Sequence, residues 1–446
     1  MPKIVIIGAG PTGLAAAYRF KELGHEDFVI YERNPYVGGL CASFKDECGF
    51  TWDLGGHVIF SRFPYFDNLL KENLKEAAIR HKREAWIFMQ GTWIPYPFQN
   101  HLNHLPEPIL TECLEGLRQV RPNGKCRNFE EWIYGHLGPG IARHFMVPYN
   151  SKIWTCPLHL LNTAWIDERV SQITFQDVQA RMHSGEDKTD WGPNTSFQYP
   201  YAGGVREIFQ NIALPLADKI RLGVGIRRID TKKKSLYLTS EETTSYDVLI
   251  NSSPLNTFLT MMHPLPADLL EAAGDLKFNR VMIIGIGIQR PSPSSKCWIY
   301  FPEDTYPFYR VTYLSNYSLN NVPDKKHFSL LCECAFPSGN GFLKTEDLWD
   351  RTVRGLMHSG LIQKDDLDWV VSRFMYSIDH AYPIPTINRD TALKAILPLL
   401  EKRDIFSRGR FGAWKYEIGN MDHSVMQGKE IVDRLLGIGP EEVYRL

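Results

Sequence analysis

The sequence predicts a mixed α/β chain in which a parallel-sheet domain is interrupted by a helical insert and an antiparallel sheet. Three observations predict it. Residues 3–32 read as strand, glycine-rich turn, helix and strand. Residues from about 103 to 186 carry helical periodicity, and residues 279–334 alternate as antiparallel strands do.

The first unit starts with the apolar run Lys3-Ile-Val-Ile-Ile7, followed at once by Gly8-Ala-Gly10-Pro-Thr-Gly13. Leu14 to Leu23 has helical character, and Phe28-Val-Ile-Tyr31 ends on Glu32, 19 positions beyond the last glycine. This Rossmann-like unit holds a dinucleotide: Gly8 allows the tight turn, Gly10 lets a pyrophosphate approach the backbone, and Gly13 lets the helix pack on the strand. The helix N-terminus faces the phosphates, and Glu32 is placed to accept from the adenosine ribose hydroxyls. Two further glycine pairs follow, in Arg33-Asn-Pro-Tyr-Val-Gly38-Gly39-Leu40 and in Asp53-Leu-Gly55-Gly56-His57. That succession resembles the FAD-binding signature of the amine oxidase-like flavoprotein superfamily and is not usual in NAD folds. FAD is therefore the expected cofactor.

The rest of the chain reads as a discontinuous arrangement. Residues 85–99 form a hairpin turning at Gln90-Gly91; Phe129 and Gly140 open amphipathic helical stretches; Tyr201-Ala-Gly-Gly204 precedes another helix. Strands return over 219–239, and Asp247 to Ser253 is a buried strand returning to the nucleotide-binding sheet. A late turn around Gly419-Asn420 and a closing helix, 422–436, complete the cofactor site. The expected division is 1–82, 201–256 and 387–446 for the cofactor domain, 103–188 for the helical insert, and 83–102, 189–200 and 257–386 for an antiparallel substrate domain.

Composition narrows the classes. A chain of 446 residues with 43% hydrophobic content supports several cores, and a formal net charge of -1 gives no general reason to expect nucleic acid or a membrane surface. No apolar span has membrane length, and the N-terminal apolar residues belong to the first strand rather than to a signal peptide. The eight cysteines show no CxxC pair, which fits free thiols in a reducing cytoplasm, with Cys332 and Cys334 on one face of a strand.

Several stretches resemble the flavin-dependent UDP-galactopyranose mutases, the eukaryotic type more than the short bacterial type. They include Gly55-Gly-His-Val-Ile-Phe-Ser61, Trp93-Ile-Pro-Tyr-Pro-Phe-Gln-Asn100, Pro148-Tyr-Asn-Ser-Lys-Ile-Trp154 and Trp165-Ile-Asp-Glu-Arg-Val170. Later come Trp191-Gly-Pro-Asn194, Lys296 to Asp304, Pro307-Phe-Tyr-Arg310, Asp379-His-Ala-Tyr-Pro383 and Ser407 to Tyr416. Together they run in order from residue 3 to residue 428. Ala85 and Arg62 depart from the pattern, standing where a serine and a histidine are expected.

The resemblance implies interconversion of the pyranose and furanose forms of a UDP-sugar without net oxidation. Reduced FAD acts through N5 as nucleophile on the anomeric carbon, with UDP as leaving group. NAD(P)H is the implied external reductant, and the partner is a UDP-sugar, in a protein compatible with a homo-oligomer.

Roles carry over residue by residue. Arg169 and Arg310 match a diphosphate clamp, supported by Tyr300, Tyr382 and Tyr416. Tyr96, Phe98, Gln99, Phe145, Tyr149, Asn150 and Trp154 match a uridine pocket, in which Phe98 and Tyr149 would stack on the base and Gln99 would read its edge. His57 lies against the flavin, Asn194 and Trp298 beside the sugar, and Arg83, Arg410 and Asn420 near the flavin or the sugar-facing rim. The cofactor set is Gly8, Gly10, Thr12, Gly13, Glu32, Arg33, Gly38, Gly39, Leu40, Gly55, Gly56, His57, Arg410, Gly419 and Asn420. Three alternatives stay open: the same chemistry on another nucleotide sugar, net oxidation of an amine or hydroxyl substrate, and flavin-dependent binding without turnover.

Overall fold

A computed structural model describes residues 2–74, 78–121, 125–166, 169–184, 190–339 and 344–446. Its centre is a five-stranded parallel sheet in the order Ile405–Ser407, Val248–Asn251, Ile4–Ile7, Phe28–Glu32, Ile220–Leu222. Every residue of Ile4–Ile7 is buried, as a strand covered on both faces requires. The helix Pro11–Glu22 covers one face and the closing helix Met421–Leu435 packs along it. The last residues of the chain therefore return to the first glycine turn.

The second large sheet has seven strands in the order Val370–Pro383, Phe278–Ile288, Phe328–Pro337, Arg310–Tyr313, Trp298–Tyr300, Ala85–Met89, Thr92–Pro95. The hairpin turns at Gln90 and Gly91, both at positive φ. One pair departs from the antiparallel expectation: Trp298–Tyr300 runs parallel to Ala85–Met89. These strands are separated by the whole helical insert, and a connection of that length permits a parallel register that a hairpin forbids.

The strands between 219 and 239 divide between two sheets. Ile220–Leu222 joins the parallel sheet, while Ile226–Asp230 and Ser235–Leu238 form a hairpin in a separate four-stranded sheet.

The helical insert contains Glu107–Gln119, Phe129–Ile141, Val147–Trp154 and Phe175–Ser184. Gly138, at φ 75°, breaks the second of these before Pro139, so helix resumes where Gly140 suggested a start. Its core gathers Phe98, Phe145, Trp154 and Trp165. Cys332 and Cys334 share one buried face, and all eight cysteines are free thiols. No described helix is long and apolar enough to cross a membrane, and the described residues contain no metal-binding cluster.

Candidate functional site

A cleft of about 1100 Å³ runs from the first glycine turn to the seven-stranded sheet. At one end the strand Ile4–Ile7 delivers Gly8, Gly10 and Thr12 to its wall. A Cβ on Gly13 would lie 1.9 Å from the Gly8 carbonyl oxygen, so Gly13 sits behind the wall and sets the helix-to-strand distance. A Cβ on Gly39, whose φ is +55°, would lie 3.2 Å from Gly10 Cα; this close approach leaves an open backbone floor. Gly38 lies behind Gly39, and Arg33 and Leu40 line the cleft.

Glu32 organises this end. Its Oε2 accepts from the Ala9 amide at 2.8 Å and its Oε1 from the Asn34 amide at 2.8 Å. Each oxygen retains a lone pair for a ribose hydroxyl. The Thr12 hydroxyl donates to the Ser424 carbonyl at 2.9 Å, tying the turn to the closing helix. A glycine floor, a helix N-terminus and an acid at the ribose position fit an extended dinucleotide.

Gly55, Gly56 and His57 line the other end. The Gly56 amide donates to Glu333 Oε1 at 3.2 Å. His57 Nδ1 is buried with no partner among the described residues. Burial lowers the His57 imidazole to about 4, so it is neutral at ordinary pH. An unpaired nitrogen facing a cleft that fits a cofactor is a group awaiting a ligand atom.

Three arginines and four tyrosines line the wall opposite: Arg169, Arg310, Arg410, Tyr96, Tyr300, Tyr382 and Tyr416. Arg310 gives Nε to Glu333 Oε1 at 2.6 Å and Nη2 to Glu333 Oε2 at 2.9 Å. The Tyr309 hydroxyl donates to the same carboxylate at 2.6 Å. Arg169 Nη2 donates to the carbonyls of Tyr416 and Glu417 at 3.2 and 3.1 Å and to Asn420 Oδ1 at 3.3 Å. Arg410 Nη1 donates to the Gly419 carbonyl at 2.9 Å, and its Nε and Nη2 to the Ala381 carbonyl at 3.2 Å each. Arg169 lies 4.3 Å over the Tyr416 ring and Arg410 lies 4.9 Å over Tyr382. Burial raises the phenols of Tyr300 and Tyr382, which keeps them protonated as donors.

The proposed uridine residues form layers rather than one surface. Phe98, Phe145 and Tyr149 are stacked, with ring centroids 4.7 and 5.2 Å apart and planes within 9° and 7°. Phe98 is the deepest, fully buried beneath Phe145, a layer below where a base-stacking ring must lie. Gln99 donates its amide to the Ser171 carbonyl at 2.6 Å, and Asn150 donates to the Met146 carbonyl at 2.7 Å. Trp154 is enclosed by Trp165 and Tyr416. Only Tyr96 of the seven lines the cleft itself.

Asn194 lines the cleft and accepts from Arg83 Nη1 at 2.7 Å through Oδ1, leaving its NH₂ as the donor. Arg83 lies behind, 5.3 Å over the Tyr96 ring, and also donates to the Trp191 carbonyl. Trp298 is buried against Phe197 and Tyr317, with Nε1 unpartnered among the described residues. Gly419 and Asn420 line the cleft, as does Arg62, while Ala85 is buried in its strand. Asp167 and Glu168, adjacent to Arg169, lie outside the described residues.

Sequence reasoning missed Glu333, Tyr309, Trp165 and Glu417, all on the cleft wall. For Glu333 a signal was present. If Cys332 and Cys334 share the buried face of a strand, the charged residue between them points to the other face.

Residues 11–356 match the family of flavin containing amine oxidoreductases. A crystal structure of reduced UDP-galactopyranose mutase superposes with a TM-score of 0.95 at 40% identity, over 98% of this chain and 96% of that one. A putative protoporphyrinogen oxidase from Exiguobacterium shares the fold at 17% identity and a TM-score of 0.74, over 97% of this chain and 98% of that one. Among curated relatives, the 15-cis-phytoene desaturase of Synechococcus elongatus is 30% identical over 181 residues, 39% of this chain. That match spans only 35% of the desaturase's length, about a third.

Proposed function

Because the chain belongs to the flavin containing amine oxidoreductases and, within them, to the UDP-galactopyranose mutases, we propose that it interconverts UDP-galactopyranose and UDP-galactofuranose without net oxidation. The observation that carries this reading is the arginine–tyrosine wall facing the Gly55-Gly56-His57 end of a dinucleotide cleft. An oxidase acting on an amine or a hydroxyl needs no such anion-binding wall beside its flavin.

The chemistry that FAD supplies when bound and reduced is a nucleophilic N5 for the anomeric carbon. Gly8, Gly10, Gly39 and Glu32 would hold its adenosine and pyrophosphate, with Gly55, Gly56 and His57 beside the ring. The chain's own residues then manage the leaving group. A diphosphate carries about two negative charges at neutral pH. The Arg310 charge is offset by Glu333, whereas Arg169 and Arg410 are bonded to neutral carbonyl and amide oxygens. Arg169 and Arg410 thus bring the net positive charge, and Arg310 brings oriented donors. Tyr300, Tyr382 and Tyr416 add neutral phenol donors that follow the diphosphate as it leaves and returns. Holding it nearby converts its return into an effectively intramolecular step. Asn194 offers its NH₂ to a sugar hydroxyl, oriented by Arg83. Tyr149 and Tyr96 stand nearest the base, with Phe145 and Phe98 stiffening them from beneath.

Three finer parts belong to the same reading. NAD(P)H is the external reductant, the compartment is the cytoplasm, which the eight free thiols support, and the discontinuous three-part domain division stands as stated above. The test is anaerobic incubation of the yellow protein with UDP-galactopyranose and other UDP-sugars, with and without dithionite or NADPH. Anion-exchange chromatography followed by uridine absorbance should show a new isomer of equal mass only with reduced flavin. Flavin bleaching by the sugar itself, with no isomer, would replace this reading with a net oxidase.

A further inference from the structure

We propose that Arg389 is a positioning residue for the diphosphate site, acting through Glu417 and the turn Tyr416–Ile418 on Arg169 and Arg410. This rests on the diphosphate reading above. Arg389 opens the helix Arg389–Glu401, does not line the cleft, and is 0% exposed. Its Nη1 and Nη2 donate to the two carboxylate oxygens of Glu417 at 2.8 Å each, a forked pair, and its Nε donates to Asp390 at 2.9 Å.

Glu417 connects this buried fork to the cleft. It lines the cleft, and its carbonyl and that of Tyr416 receive Arg169 Nη2. Two residues on, the Gly419 carbonyl receives Arg410 Nη1. The two arginines that bring net charge to the wall are therefore both anchored on the main chain of one short segment, 416–419. A single turn has little stiffness of its own. Here it is pinned from behind by the Arg389–Glu417 fork and by Gln427 Nε2, which donates to the Ile418 carbonyl at 2.9 Å.

The choice of arginine follows from geometry. A planar guanidinium meets both oxygens of a carboxylate and fixes its orientation, whereas an ammonium presents one compact charge. Buried ion pairs are often no better for stability than apolar replacements of the same volume. The placement of this one directly behind the arginine anchors points to preorganisation, which reduces the ordering that binding would otherwise require.

The test compares UDP with uridine, which lacks the diphosphate, by calorimetric titration of the flavin-loaded protein. Wild type, Arg389→Lys and Glu417→Gln are measured, with flavin absorbance and melting temperature recorded for each. The expected result is a ~10-fold weaker UDP affinity in both variants, with uridine changed less than ~2-fold and the flavin spectrum unaltered. Equal weakening of UDP and uridine, or no weakening of either, overturns the proposal. If Arg389→Lys does not fold, Glu417→Gln decides, because Glu417 is only partly buried. Wild type that fails to bind UDP overturns the mutase reading itself, a result separate from any difference among the variants.

Discussion

Arg310 and Glu333 form a two-point ion pair beneath Gly56, with N–O distances of 2.6 and 2.9 Å, on adjacent strands in register. Arg310 faces the cleft, so the pair is both a structural joint and part of the substrate wall. Burial works to raise the Glu333 carboxyl, but the Arg310 charge and the hydrogen bonds from Arg310, Tyr309 and Gly56 outweigh it and hold it below the usual carboxylate range.

The joint makes stability non-additive. Glu333→Ala and Arg310→Ala each leave one buried charge unpaired, and each is expected to lose about 3–5 kcal/mol. The double variant should lose clearly less than the sum. Urea denaturation of the four proteins checks this, and strict additivity would mean the pair contributes no coupling.

Arg310→Ala should also separate cofactor from chemistry. The glycine turns that hold the flavin are remote from this side chain, so the protein should stay yellow while turnover falls at least ~100-fold, as loss of a donor to a charged leaving group implies. Full turnover would remove Arg310 from the substrate wall.

His57 carries a pH signature. Its folded value of about 4 lies below the ordinary histidine range near 6.5, so the unfolded chain binds the extra proton between these values. Stability should therefore fall as pH drops from about 6.5 through 4, by on the order of 1 kcal/mol at pH 5 after allowance for solvent screening. His57→Gln should flatten that slope. Denaturation midpoints at pH 7 and pH 5 decide it, and an unchanged slope would contradict a neutral buried imidazole.

The glycines of the first turn should fail in different ways. A Cβ on Gly10 meets nothing nearer than 3.8 Å, so Gly10→Val should fold yet come out colourless, its side chain standing where a pyrophosphate approaches. A Cβ on Gly13 would lie 1.9 Å from a backbone oxygen, so Gly13→Ala should unfold or fail to express as soluble protein. Melting temperature and flavin absorbance together distinguish the two, and a yellow Gly10→Val would refute the N-terminal reading.

The amino-acid sequence by itself determined the units whose signals are local. The strand, Gly8 to Gly13, the following helix and Glu32 sit within one short stretch, where apolar periodicity and glycine spacing dictate backbone geometry. The hairpin at Gln90-Gly91 and the closing helix from Met421 were legible for the same reason. What only the tertiary structure decided depends on register and depth between distant segments. The parallel pairing of Trp298–Tyr300 with Ala85–Met89 and the burial of Phe98 beneath Phe145 are of this kind. So are Glu333 opposite Arg310 and the fork from Arg389 to Glu417. Periodicity states that a side chain faces inward; which partner it meets is set by how whole sheets and helices pack, and neighbours in sequence carry no record of that.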